Sequence, residues 1–151
     1  MKVNLEKLSK DGRLDREEGI GFDQIVRRIE RAKIDLENAK IVLKKDESGA
    51  FRLAYDAMLQ SGIALILSHG YRPKVKNFHK TVVEATNEIF GDKFGVLMKK
   101  FNQMRKTRHD AIYDISFVSK AEAEDSIIAA GKLIQEVSKT IKENNPQKEL
   151  L

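Results

Sequence analysis

The sequence predicts an all-α protein, an antiparallel up-and-down bundle of four to five helices. Three observations carry that prediction. Apolar residues recur at steps of three and four through each long segment, the spacing that keeps side chains on one helix face. No stretch shows strand-like alternation of useful length, and no internal repeat appears. Turn signals at Asp46 to Gly49, at Gly70 with Pro73, and at Gly91 mark short breaks between the periodic segments, so neighbouring helices should run antiparallel.

Residues 1–21 are polar, with turn signals at Asp11-Gly12 and Gly19-Ile20-Gly21. They read as an irregular arm with one helical turn near Asp15 to Glu18, pinned to the body by Leu5, Leu8 and Leu14. The bundle proper spans residues 22–143. Its first helix runs from about Phe22 to Lys45 on Phe22, Ile25, Ile29, Ala32, Leu36, Ala39 and Leu43, with Asp23 as a candidate N-cap. Arg27, Arg28, Glu30, Arg31, Asp35 and Glu37 fall on the opposite, wet face. After a break at Asp46 to Gly49, the stretch from Ala50 to about His69 is apolar almost all round, as suits the middle of a bundle. Ala54, Ala57, Gly62 and Ala64 would let neighbours approach closely. Gly70 offers a left-handed stop, and Pro73 bars continuation.

A basic connector, YRPKVKN, leads to a third helix from about Phe78 to Phe90, closed by Gly91. The fourth begins near Asp92 or Lys93 and bends or frays around Asp110 to Ser116, where ISFV reads as extended. Ser119 with Glu122 makes a capping box. It opens the last helix, to about Glu143, on Ile127, Ala130, Ile134, Val137 and Ile141. Residues 144–151 are a polar tail.

Composition narrows the function classes. With 151 residues the chain is long enough for one domain with a core. The absence of cysteine excludes a disulfide framework, thiolate metal sites and a thiol nucleophile, and fits a cytoplasmic setting. The first nineteen residues lack the apolar stretch of a signal peptide. The apolar run Ala57 to Leu67, interrupted by Gln60, Ser61 and Gly62, is too short and polar to span a bilayer, so no membrane partner is expected. A net charge of +5 suits a polyanionic partner. No P-loop, dinucleotide glycine pattern or Ser-His-Asp set is present, and the histidines lack a third ligand, so neither cofactor nor metal is expected.

Chemistry concentrates in MRKTRHDAIYD, Met104 to Asp114. The seam Phe94, Leu97, Phe101, Met104 continues to Arg108, then Ala111 and Ile115. An arginine thus stands where the pattern asks for an apolar side chain. Burying a lone guanidinium is costly, so Arg108 should have a partner such as Asp56 or Glu84, face a wet cleft, or sit at an interface. Arg105, His109 and Tyr113 run along the flank of the same face. Asp110 could orient an arginine or His109. Arg105 and Arg108 are candidate phosphate ligands, the latter able to bind bidentately. Arg72 and Lys74, with His79 and Lys80 beside them, form a second candidate phosphate patch.

These residues resemble a HEPN domain. The likeness rests on AYDAMLQSGIALILSHGYRPK, on His79 in KNFHKTVVEA, and on RHDAIYD late in the fourth helix ahead of one final long helix. It covers roughly Phe22 to Lys142. Many HEPN domains are metal-independent ribonucleases whose signature is an arginine, four to six residues, then a histidine, with two protomers pairing so that both signatures line one cleft. By that resemblance Arg108 is the signature arginine, His109 the polar residue after it, and Tyr113 stands where the histidine would be. This is an arginine–four residues–tyrosine variant. Tyrosine titrates near pH 10 and histidine near 6.5, so Tyr113 is a poor general base, and His109 is the candidate substitute. The resemblance implies a homodimer that binds RNA or nucleotides and is toxin-like. As an alternative it implies an inactive interaction module partnered by a small nucleotidyltransferase antitoxin, with Tyr113 the residue modified.

Overall fold

The computed structural model describes residues 4–113 and 118–144, except for the side chains of residues 112 and 113. In chain order the elements are α1 (Glu6–Lys10), β1 (Leu14–Arg16), α2 (Phe22–Val42), α3 (Glu47–Ser68), β2 (Tyr71–Pro73), α4 (Phe78–Phe90), α5 (Gly95–Tyr113) and α6 (Lys120–Asn144). The all-α bundle is the fold, with one small two-stranded sheet added to it.

Helix α3 is the axis. It packs against α2 and α6 most extensively, and also against α4, α5 and β2. It buries side chains on every face, including Phe51, Tyr55, Met58, Leu65 and Ile66. By length and composition alone α3 could cross a bilayer, yet 78% of its most apolar window is buried inside the bundle. It begins at Glu47, within the expected break, because Asp46 serves as N-cap and accepts a hydrogen bond from Gly49 N at 2.9 Å. Gly62 allows the closest approach in the core: a Cβ there would meet Thr86 Oγ1 at 2.7 Å and Val82 Cγ1 at 2.8 Å. Gly70, at φ +83°, turns the chain out of α3 as its sequence position foretells.

Helix α2 starts after an extended Gly21 rather than an Asp23 cap; Asp23 instead supplies negative charge in the first turn. Its buried stripe is Ile25, Val26, Ile29, Ala32, Asp35 and Ala39. Asp35 is therefore not on the wet face, and is only 7% exposed. The steps 32, 35, 39 put it in register with the apolar stripe, and Arg31 one turn back compensates its charge through Nε at 3.0 Å and Nη2 at 2.6 Å. Helix α5 lays Met98, Phe101 and Met104 into the core, with Phe94 and Leu97 partly buried. It starts at Gly95, later than the sequence implies, because residues 91–93 form a turn. At α6 half of the expected capping box is seen: Ser119 Oγ accepts from Glu122 N at 3.1 Å, while the Glu122 carboxylate takes Lys100 Nζ at 3.1 Å. Of the fray expected around Asp110 to Ser116, residues 110–113 instead continue the helix, and 114–116 lie outside the described residues.

The N-terminal arm is not irregular. Its helical turn is Glu6–Lys10, and residues 14–16, expected to be helical in part, are a strand. β1 runs antiparallel to β2 with Leu14 opposite Pro73, Asp15 opposite Arg72 and Arg16 opposite Tyr71. Leu5 and Leu14 are buried, at 3% and 1% exposure, and each such side chain contributes roughly 1.5–3 kcal/mol of burial. Pro73 occupies the end of its strand, where the missing N–H breaks no ladder bond.

Candidate functional site

Arg108 is half-buried on α5, one turn past the core residue Met104. Its guanidinium lies over the ring of Tyr55, 5.8 Å from the centroid. Tyr55 comes from the middle of α3 and is fully buried. An arginine can end an apolar seam here because the face of an aromatic ring accepts a cation that a methyl group would not.

Neither expected acid pairs with Arg108. Glu84 is taken by Arg13, 2.5 Å from Nη1, with Lys80 at 4.0 Å. Asp56, next to Tyr55 on α3, feels Arg108 only through space, and among the described residues no ion pair joins them. Burial and the neighbouring Asp35 push the Asp56 carboxyl up, against the pull of Arg108, Arg31 and Arg52. Two carboxylates and several arginines thus share the region between α2, α3 and α5.

The Tyr55 ring also stacks with the imidazole of His79, with planes 7° apart and centroids at 5.6 Å. Its hydroxyl is 2.8 Å from His79 Nδ1. Burial raises the Tyr55 phenol well above its ordinary value, despite Arg108 and Arg105 nearby. His79 shifts the opposite way. Burial lowers its pKa first, then Arg108 and Arg105 lower it further. Burial favours the neutral form of both residues, while the two cations reinforce it for His79 and oppose it for Tyr55.

Arg105 stands one turn before His109 on α5. Asn102 Oδ1 fixes its guanidinium, accepting from Nε and from Nη2 at 3.1 Å each. The structure therefore gathers Arg105 and Arg108 around Tyr55 and His79. His109 is exposed on the same helix. Tyr113 ends the helix, and its side chain lies outside the described residues.

Arg72 and Lys74 do not join this group. Arg72 bonds Glu17 through Nε and Gln24 Oε1 through Nη2 at 3.1 Å, and Lys74 pairs with Asp15 at 3.3 Å. Their charges stitch the arm to β2. The cations that act on Tyr55 and His79 are Arg108 and Arg105. Arg72 and Lys74 of the second phosphate patch are thus each engaged by a carboxylate of the arm.

Sequence reasoning missed Tyr55 and the placement of His79. Tyr55 sits in an apolar run where a phenol looks like core, and His79 is 24 residues away. Among the described residues no three His, Asp or Glu side chains cluster to hold a metal. No curated protein matches the chain. A family model for the HEPN domain matches residues 25–142, from the first turn of α2 to the end of α6. The chain belongs to the HEPN domain family.

Proposed function

We propose that this is an RNA- or nucleotide-binding HEPN protein, the toxin-like and ribonuclease-related member of a toxin–antitoxin pair, with its cleft at a homodimer interface. The observation that carries the reading is Arg108: half-buried, seated on Tyr55, and without a carboxylate partner among the described residues. A guanidinium so placed keeps its N–H fork for a ligand, and planar bidentate donors match phosphate oxygens. Arg105 adds a second cation on the same side of α5. His109 and Tyr113 complete the set by membership of the motif. Single-stranded RNA binding, growth arrest on induction and solution mass test the proposal together. Arg108→Ala should abolish binding and arrest. A stable monomer, or an Arg108→Ala protein that binds RNA and arrests growth like the parent, overturns it.

One observation favours a second reading, that of an inactive module partnered by a small nucleotidyltransferase. Tyr113 stands where nucleolytic HEPN domains carry histidine, and a phenol is a nucleotide acceptor rather than a base at neutral pH. Co-expression with a small nucleotidyltransferase, followed by mass spectrometry, decides it: a nucleotide on Tyr113 supports this reading, and an unmodified Tyr113 with no co-purifying partner removes it.

A further inference from the structure

The arginine motif leaves one chemically capable pair unused. The Tyr55 hydroxyl is buried in α3, and its hydrogen-bond partner is His79 Nδ1. With its pKa raised, the phenol keeps its proton. A buried O–H needs an acceptor, and leaving it without one is expensive. Among the described residues the acceptor in reach is Nδ1. That assignment fixes the imidazole: the Nδ1 lone pair points to the hydroxyl, and the ring proton sits on Nε2.

The same bond resists the imidazolium form. A proton on Nδ1 would turn the phenol into an acceptor and strand its own hydrogen. The charged groups acting on His79 from α5 are Arg105 and Arg108, both cationic, and α3 presents the neutral Tyr55. No carboxylate stands among the causes of its shift. Nε2 has no hydrogen-bond partner among the described residues, and it is not one of the buried unpartnered atoms. It is the polar atom of the ring that solvent, or a ligand, can reach.

We infer that His79 is a third anion-binding group of this site. Its Nε2–H, held in place by the Tyr55 hydroxyl, donates a hydrogen bond to a phosphodiester oxygen of single-stranded RNA held by Arg105 and Arg108. The inference rests on the reading that Arg108 takes phosphate, and it adds a residue from α4, outside the arginine motif. The role is donation: in this tautomer Nε2 already carries a proton and cannot accept one. Tyr55 is a positioning residue, a seat for the guanidinium on its face and a lock for the imidazole at its hydroxyl.

The test combines fluorescence anisotropy with a short single-stranded RNA, at fixed salt, and 15N spectra of the imidazoles. The proteins are the parent, His79→Ala, His79→Gln, Tyr55→Phe and Arg108→Ala, each checked for folding by circular dichroism. His79→Ala should weaken RNA binding on the order of tenfold, the scale of one hydrogen bond to a charged group. His79→Gln, which keeps a side-chain N–H donor, should recover most of the loss. In the parent the His79 spectrum should show the Nε2–H tautomer near neutral pH, and RNA should shift that resonance. Tyr55→Phe should release the tautomer to a mixture. If His79→Ala binds like the parent while Arg108→Ala does not, this inference fails and the reading of Arg108 stands. If Arg108→Ala also binds like the parent, both fail. A His79 found protonated on Nδ1, or a tautomer unchanged in Tyr55→Phe, overturns the lock.

Discussion

The Tyr55 hydroxyl meets His79 Nδ1 at 2.8 Å, with the two rings within 7° of parallel. This polar contact joins α3 to α4 within the core. Tyr55→Phe keeps the ring and its packing but leaves Nδ1 without its donor. We expect a loss of about 1–2 kcal/mol, measured by urea denaturation. A variant as stable as the parent would mean that water replaces the hydroxyl without penalty.

His79 should make stability depend on pH. Its folded pKa lies below the ordinary 6.5, so the unfolded chain binds its proton more readily. The stabilising contribution is therefore complete above that value and is lost as pH falls through the folded pKa. Thermal denaturation from neutral into mildly acidic buffer should show a steeper decline for the parent than for His79→Gln. Parallel curves would contradict the shift.

Arg108→Ala should cost little stability. The contact visible for its guanidinium is the face of Tyr55, and cation–π pairs contribute about 0.5–2 kcal/mol. A buried ion pair broken on one side would cost roughly 3–5 kcal/mol. Chemical denaturation separates the two cases, and a large loss would reveal a structural ion-pair role. Arg108→Lys should retain charge but lose the planar fork, so RNA binding should fall only in part.

Asp35→Asn should lower the pKa of Asp56. Burial is the larger cause of the raised Asp56 value and survives the substitution, while the like charge of Asp35 is removed. An NMR titration of the Asp56 carboxyl reads the change. A pKa that stays put would show that desolvation alone sets it. Arg31 loses its partner in this variant but remains half-exposed to water, so its own penalty is small.

The helices were legible because their signals are local. Capping at Ser119, the stop at Gly70 and the seam through Phe101 and Met104 each lie within a few residues. Arg108 stood out for the same reason, as one charge in an apolar period. What it touches was not legible, because Tyr55 and His79 come from two other helices and their types fit a core equally well. Asp35 was misplaced because an acid in a charged segment looks solvated until Arg31 and the stripe on either side are seen in register. The small sheet escaped because three-residue strands are too short to alternate, and its ladder pairs backbone more than fifty residues apart.

That ladder bears on how the protein should be handled. The family match begins at residue 25, whereas β1 ends at Arg16. Trimming a recombinant fragment to the family boundary would remove Leu5 and Leu14 from their seats, unpair the backbone of Tyr71 to Pro73, and strip Glu17 and Asp15 from Arg72 and Lys74. Two half-exposed cations would lose their carboxylates at the corner that leads into α4, four residues ahead of Phe78 at the nearer one. A shortened protein would then bind polyanions more strongly through that surface than the intact one, and an assay run on it would credit the wrong arginine.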